Sequence, residues 1–148
     1  MSESLSKRRL RLWIRLLLTT RMAERELSEF VRTEHDTTLP RFDVLAALHR
    51  ADGPLTMGEL SRQLLVSNGN TTTVVTRLEA DGFVERTSPA NDRRVVRVSL
   101  TPSGRRHFAT LAADHERRVD EMFSGADDDD LRQLDELLQR LTTRKASR

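Results

Sequence analysis

Residues 55–102 read LTMGELSRQLLVSNGNTTTVVTRLEADGFVERTSPANDRRVVRVSLTP, and this stretch decides the fold. Thr56 suits the N-cap of a helix, and Glu59 follows three residues later, which is the spacing of a capping box. The pattern predicts a short helix over Met57–Leu64. A tight turn and a second helix are expected to follow, which is the order of elements in a helix-turn-helix.

The second helix is expected from Ser67, which can cap it, to Asp81, where Gly82 is a natural terminator. Its apolar stripe consists of Val74, Val75 and Leu78. Its other face is polar and, apart from the long Arg77, made of small side chains: Asn68, Gly69, Asn70, Thr71, Thr72, Thr73, Thr76 and Arg77. Small side chains let a backbone lie close to DNA, where Asn can pair bidentately with adenine and Thr can meet a thymine methyl group or a phosphate. The alternative is an ordinary exposed helix face, although Thr is a mediocre helix former.

The end of the stretch predicts a β-hairpin. Phe83–Thr87 reads as a strand, residues 88–92 as a turn, and Arg93–Leu100 as a second strand with alternating apolar residues. At the turn, the carboxylate of Asp92 lies within reach of Arg94 and can fix the direction of its guanidinium. A narrow, A·T-rich minor groove attracts arginine, so the hairpin can act as a DNA-reading finger. The alternative is a surface salt bridge, which contributes little.

Helices are expected on both sides of the stretch. Helical periodicity runs from Leu5 to about Val31, and a second helix runs from Pro40 to Arg50. Thr101 and Pro102 begin a helix that continues to about Phe123, since proline is favoured at the first helical position.

The last helix starts at the acidic run Asp127 to Asp130, which complements the positive end of the helix dipole. Its apolar stripe consists of Leu131, Leu134, Leu138 and Leu141. Such a narrow stripe is typical of a helix that completes its burial against a second subunit.

Composition agrees with a small nucleic-acid-binding domain. The 148 residues favour one domain, and 36% hydrophobic content makes a thin core. The formal net charge is only +2, but the basic residues are clustered. Seven of them and one acid lie between Lys7 and Arg25, and six arginines and one acid lie between Arg86 and Arg106. A basic face on a nearly neutral protein fits phosphate binding.

Several functional classes are excluded. Without cysteine the chain has no disulfide, no thiol-based redox sensor and no cysteine metal site. Arg11, Arg15 and Arg21 interrupt the N-terminal apolar stretch, so neither a secretory signal nor a membrane span is expected, and the protein is expected in the cytoplasm. No catalytic triad, carboxylate pair or glycine-rich phosphate loop is visible, so neither enzymatic activity nor a cofactor is expected.

The histidines give no metal motif. A helical metal pair has its histidines four positions apart, whereas His107 and His115 are eight apart, so no metal site is expected. His49 lies on the apolar face of its helix and is expected to pack in the core.

Four segments together resemble the MarR family of winged helix-turn-helix regulators. They are LTMGEL at 55–60, RLEADGFVER at 77–86, NDRR at 91–94 and VSLTPSG at 98–104. The resemblance covers nearly the whole chain, and the last two segments are highly specific in combination. It implies a mainly α fold with a small antiparallel β wing, in one domain over residues 1–148. Residues 5–35 and 103–146 would supply dimerisation helices, and 40–102 the winged helix-turn-helix lobe.

The resemblance also implies a homodimer in which each lobe binds half of an inverted repeat in double-stranded DNA. Met57–Leu64 would be the support helix and Ser67–Asp81 the recognition helix. The expected DNA-contacting residues are Ser67, Asn68, Asn70, Thr71, Thr72, Thr73, Thr76, Arg77, Asp92, Arg93, Arg94 and Arg97. Among them Arg94 would enter the minor groove, oriented by Asp92, and Arg93 and Arg97 would contact phosphates.

Members of this family commonly bind small aromatic or phenolic anions between the dimer helices and the DNA-binding lobe. Residues of suitable type here are Trp13, Arg15, Arg41, Phe42 and Phe108. The alternative, which we favour, is that Trp13 and Phe42 fill the core.

One branch of the family resembles a urate sensor, with a tryptophan, an aspartate and two arginines at its site. Trp13, Asp43 and Arg86 match three of these positions, but Val74 stands at the second arginine. A urate site is therefore not expected, and Asp43 can instead hold the reading lobe together through a salt bridge.

The sequence thus predicts a dimeric, sequence-specific DNA-binding regulator, a repressor that a small aromatic or anionic effector releases. The alternative is a winged-helix protein-interaction module that does not bind DNA. Binding to DNA through several arginines falls steeply with salt, which distinguishes the two.

Overall fold

The computed structural model describes residues 3–65 and 70–143. Over these residues the elements are α1 (Leu5–His35), α2 (Leu39–Arg50), β1 (Leu55–Thr56), α3 (Met57–Gln63), α4 (Thr71–Ala80), β2 (Val84–Thr87), β3 (Arg97–Leu100), α5 (Pro102–Phe123) and α6 (Asp128–Thr143). The strands form one antiparallel sheet in the order β1-β3-β2. The predicted fold class, mainly helical with a small antiparallel sheet, is confirmed.

The core lies under α2. Val44, Leu45 and Ala47 of this helix are completely buried, and they pack with residues of α3, α4, α5 and the sheet. The other buried members of the cluster are Ala46, Leu48, Leu55, Leu60, Val75, Leu78, Val84, Val98, Leu100, Phe108 and Leu111. Burial of this apolar surface is the main force that positions α4 and the sheet.

Helix boundaries inside this lobe follow local signals. The predicted capping box is present, because the Thr56 side chain accepts the N–H of Glu59 and the Glu59 carboxylate accepts the N–H of Thr56 at 2.8 Å. That second hydrogen bond lowers the pKa of Glu59. At the end of α4, Gly82 adopts φ of 78°, and the N–H groups of Gly82 and Phe83 bind the carbonyls of Glu79 and Leu78. These two bonds form a Schellman motif, which confirms Gly82 as the terminator.

Two predicted boundaries are wrong. The recognition helix begins at Thr71, with Asn70 as its N-cap, rather than after Ser67. The second wing strand begins at Arg97 rather than Arg93, because its partner β2 has only four residues to pair with it. Strand β1 was not predicted, since its two residues gain strand geometry only from pairing with β3.

The α1 helix is longer than predicted and mostly exposed. It continues to His35 and ends at Asp36, whose φ of 49° is left-handed. Among its described residues Val31 alone is buried. Trp13 is 59% exposed, so the expectation that it fills the core of the chain is wrong. His49 at the end of α2 is also exposed, because its ring lies across Phe108 (centroids 4.7 Å apart) at the rim of the core rather than inside it.

The chain divides into two compact units, residues 1–115 and 116–148. Within the second unit α6 starts as predicted, with the Asp127 carboxylate accepting the N–H of Asp130 at 2.9 Å. Its predicted leucine stripe is exposed: Leu131, Leu134, Leu138 and Leu141 are 38–60% exposed. No helix in the described part of the chain is both long and apolar enough to cross a membrane.

Candidate nucleic-acid interface

Helix α4 has one buried and one exposed face, as the sequence predicted. Val75 and Leu78 are completely buried against the core beneath α2, and Val74 packs at its edge. The exposed face consists of Asn70, Thr72, Thr73, Thr76 and Arg77, with Thr71 half-buried. Ser67 and Asn68 lie outside the described residues. The face is small and polar over nearly two turns, which lets a helix backbone lie close to a ligand surface.

Asn70 has a structural role that the sequence did not predict. Its Oδ1 accepts the N–H of Thr73 at 3.0 Å, which caps the helix. The segment offers three cap-type residues in succession, at positions 67, 68 and 70, so local propensity alone could not select one. One lone pair of Oδ1 serves the cap, so the second lone pair and the Nδ2 donors remain for other contacts.

The wing loop, residues 88–96, presents an oriented arginine. The Asp92 Oδ1 atom accepts the backbone N–H of Arg94 at 3.0 Å and faces its Nε at 3.4 Å. The Arg94 side chain is 94% exposed, so the ion pair adds little stability but sets the direction in which the guanidinium leaves the loop. This is the geometry that the motif predicted. Arg93 and Arg97 are also exposed nearby on the wing.

Arg86 lies on β2, between α4 and the wing loop, and is largely buried. Its Nη1 donates to Glu79 Oε1 at 3.0 Å, and its Nη2 donates to Thr76 Oγ1 at 3.0 Å. Its backbone N–H donates to the other Glu79 oxygen at 3.2 Å. The family resemblance matched Arg86 to one position of a urate-type site, and in the structure its side chain contacts the recognition helix. The available signal was a pair of opposite charges seven residues apart across the Gly82 turn.

A second ion pair holds the same end of α4. Arg41, at the start of α2, binds the carboxylate of Asp81, the C-cap residue of α4. The Arg41 side chain is only 19% exposed, so this pair is better shielded from solvent than the wing pair. The C-terminal end of α4 is therefore tied to both α2 and β2.

Asp43 is buried beneath the helix-turn-helix. Its Oδ2 accepts the backbone N–H of Leu65 at 2.7 Å, shortly after the end of α3. A buried carboxylate needs such partners, since desolvation disfavours its charge. Asp43 thus helps hold the lobe together, as the sequence suggested. Its hydrogen bond to Leu65 is made with the backbone.

The candidate effector residues are only partly brought together. Phe42 stacks on Phe108 and on His115, with ring centroids 5.7 and 4.4 Å apart. Trp13 and Arg15 lie exposed on α1, while Arg41 and Arg86 are in the ion pairs described above.

His107 and His115 lie against phenylalanine rings. Burial lowers the pKa of His115, and burial together with the positive charge of Arg41 lowers that of His107, whose ring is stacked 4.0 Å from Phe83. Both rings are therefore neutral at pH 7. Across residues 3–65 and 70–143, no three His, Asp or Glu side chains form a group that could hold a metal ion.

Comparison with known proteins shows which proteins have a similar sequence and fold. A model of the MarR family matches residues 35–95. The HTH-type transcriptional regulator YkoM of Bacillus subtilis is 33% identical over 107 residues, which are 72% of this chain and 69% of that protein. A MarR family transcriptional regulator from Silicibacter pomeroyi has the same fold, with a TM-score of 0.83 and 27% identity over 97% of this chain and 99% of that one.

A more distant structure shares the fold alone. It is the organohalide-sensing transcriptional regulator RdhR in its 2,4-dichlorophenol-bound form, with a TM-score of 0.77 and 18% identity. The alignment covers 97% of this chain and 86% of that chain.

Proposed function

Because the chain belongs to the MarR family of DNA-binding transcription regulators, we propose that it is a homodimeric repressor that binds an inverted repeat through α4 and the wing. The observation that carries the proposal is one lobe that exposes two reading elements. These are the small polar face of α4 and the Arg94 guanidinium held by Asp92.

Each element suits one groove of the duplex. A helix with short side chains fits the major groove, where the exposed Thr72 and Thr73 can approach base edges and phosphates. The oriented Arg94 suits the narrow minor groove, whose negative potential attracts guanidinium. Arg93, Arg97 and Arg77 then serve as phosphate contacts, which fix the register of the lobe without reading sequence.

Dimerisation is proposed from the uncovered apolar surface of the terminal helices. Trp13 and Ile14 of α1 and Leu137 and Leu141 of α6 are 47–60% exposed in the single chain. A second copy that covers these stripes would carry a second lobe to a half-site about one helical turn, ~34 Å, away. A dimer bound across a promoter excludes polymerase, so occupancy alone represses transcription in the cytoplasm of the cell.

Release by a small aromatic anion is the other part of the proposal. The stack of Phe42 on Phe108 and His115 offers aromatic surface near the cationic Arg41. The distant relative solved with 2,4-dichlorophenol is the reason to test this chemistry first. An effector that favours a dimer with wrongly spaced recognition helices would cause the protein to dissociate from the DNA.

The test starts from the DNA that flanks the protein's own gene. Footprinting with the purified full-length protein should show protection of an inverted repeat, and a duplex carrying that repeat then serves in titrations. Arg94→Ala should weaken binding to this duplex by about 5- to 150-fold, equivalent to about 1–3 kcal/mol. Arg93→Ala removes the same charge from the neighbouring residue without touching the Asp92 pair, and should weaken it less.

Three results would contradict the proposal. One is a chain that stays monomeric in light scattering. Another is a protein that binds no duplex even at low salt, which is the result expected of a protein-interaction module. The third is equal loss of affinity in the Arg94→Ala and Arg93→Ala variants, which would reduce the wing arginine to a general charge. For the effector, 2,4-dichlorophenol should weaken the protein–DNA complex and should lose that effect in Phe42→Ala.

A further inference from the structure

Arg86 is a wing-strand arginine whose guanidinium is hydrogen-bonded to a carboxylate inside the described lobe. Its side chain is 25% exposed and meets Glu79 through two separate groups, the guanidinium and the backbone N–H. Arg97, which pairs with the next residue of β2 in the sheet, is exposed instead. A guanidinium paired with a carboxylate is a poor phosphate contact, because the phosphate would have to compete with a negative neighbour.

The second guanidinium nitrogen of Arg86 reaches the DNA-facing side of α4. It donates to Thr76 Oγ1, and that hydroxyl gives its own hydrogen to the carbonyl of Thr72 at 2.9 Å. The Thr76 hydroxyl is therefore engaged as both donor and acceptor, which fixes its rotamer. The hydroxyl has no hydrogen left to donate to a base, so Thr76 can offer a base pair its methyl group and one remaining lone pair. A threonine methyl is a partner for the thymine methyl.

We propose that Arg86 is a positioning residue for sequence reading, which holds Thr76 in one rotamer and fastens the recognition helix to the wing strand. The inference rests on the proposed reading of DNA by α4 and the wing. Arg86 lies one residue from the end of β2, and the wing loop begins two residues after it. The contact therefore sets how the Thr76 methyl and the Arg94 guanidinium are spaced along the duplex.

The side chain requires the planar fork of arginine. Two nitrogens of one guanidinium donate to two acceptors, 3.0 Å away in each case, on residues three apart along α4. A lysine ammonium is a single point on a flexible stem and cannot hold both acceptors in this geometry. Arg86→Lys should therefore keep the positive charge but lose the ability to hold Glu79 and Thr76 at the same time.

The experiment measures affinity for two duplexes over a range of salt concentrations. One duplex carries the footprinted repeat, and the other is a random sequence of the same length. Arg86→Ala and Arg86→Lys should each weaken repeat binding by about tenfold, leave random-duplex binding within about twofold, and leave the slope of log K against log salt unchanged. Arg97→Ala is the matched control, and should weaken both duplexes alike and reduce the slope by about one.

A double-mutant cycle keeps the test independent of folding. Thr76→Val retains the shape and the methyl group but removes the acceptor of Arg86, and position 76 is exposed, so the variant is expected to fold. Combined with Arg86→Ala, it should lose less affinity for the repeat than the sum of the two single losses, since they remove one shared contact. Additive losses would overturn the inference.

The remaining outcomes are also decisive. A salt slope that falls in Arg86→Ala would make Arg86 a phosphate contact, and equal losses on both duplexes would make its role one of stability alone. Either result overturns the inference while leaving the proposed interface intact. If Arg94→Ala and Arg97→Ala also bind the repeat normally, the proposed interface itself has failed.

Discussion

Helices α2 and α6 carry similar leucines but use them differently. Both are described over their full lengths, and α2 buries seven of its twelve residues whereas α6 buries none of its sixteen. The apolar residues of α2 meet helices and strands of the same lobe, and those of α6 remain at the surface of the chain. The comparison teaches that one chain holds two kinds of apolar surface, one that folding buries and one that folding leaves exposed.

The largest effect is expected from charge placed in the α6 stripe. Leu134→Glu combined with Leu138→Glu should weaken the dimer roughly a thousandfold or more, because a buried unpaired charge costs several kcal/mol. The lobe should stay folded, since none of its core residues changes. Light scattering measures the mass, and far-ultraviolet circular dichroism checks the fold.

The control for that variant is Gln139→Glu, which adds a carboxylate next to the stripe. Gln139 is exposed and binds Asp135 on the polar side of α6. A dimer in both variants would show that the leucine stripe is not the interface.

The next effect tests the packing of the lobe that contains α2. A Cβ on Gly104 would lie 1.9 Å from the carbonyl oxygen of Phe83, which is backbone and cannot rotate away. Gly104→Ala should therefore destabilise the lobe by about 3 kcal/mol, the upper range for overpacking. Gly53→Ala is the matched control, because its Cβ would meet no described atom within 4 Å. Equal melting temperatures for the two variants would show that the start of α5 does not pack against the backbone of Phe83.

A smaller effect is expected at the start of α4. Asn70→Ala removes the N-cap and should reduce local stability by about 1 kcal/mol, whereas Asn70→Asp should retain most of it. Hydrogen exchange at the N–H of Thr73 measures the loss. If Ala and Asp variants exchange alike, the cap contributes nothing, and the start of α4 is held by other contacts.

The smallest effect concerns acid. The N–H of Thr56 lowers the pKa of Glu59 in the folded state below 4.5, the ordinary value for a glutamate. The stabilisation by this carboxylate is therefore present above pH 4.5 and is lost as pH falls through the lowered folded value. Melting temperature should fall slightly more steeply below pH 4.5 for the natural protein than for Glu59→Gln. Parallel curves for the two proteins would contradict a role for this carboxylate.

Much of the lobe was predictable because its signals are local. The capping box of Thr56 and Glu59 and the terminator Gly82 act within a few residues, and both predictions are confirmed. Strand pairing is not local. The predicted strand began at Arg93, but residues 93–96 have no ladder because β2 is too short to reach them. Strand β1 exists only because β3 lies beside it.

The candidate site divides in the same way. The Asp92–Arg94 contact spans two residues and was readable from the sequence. Arg41 and Asp81 are forty residues apart and meet only because α2 packs on α4. Their ion pair could therefore not be predicted from a local sequence pattern. The prediction that Trp13 is buried in the core was wrong, because the sequence cannot say whether an apolar helix face is covered by its own chain or by another.

The closeness of Gly104 to Phe83 has a mechanical consequence. The start of α5 is also fastened by two hydrogen bonds, from the N–H of Thr101 to Phe83 at 3.1 Å and from its hydroxyl to Gly82 at 2.6 Å. Gly82 and Phe83 directly follow the recognition helix, so these contacts hold the first turn of α5 against the end of α4. A tilt of the first turn of α5 would therefore be expected to move the end of the recognition helix with it.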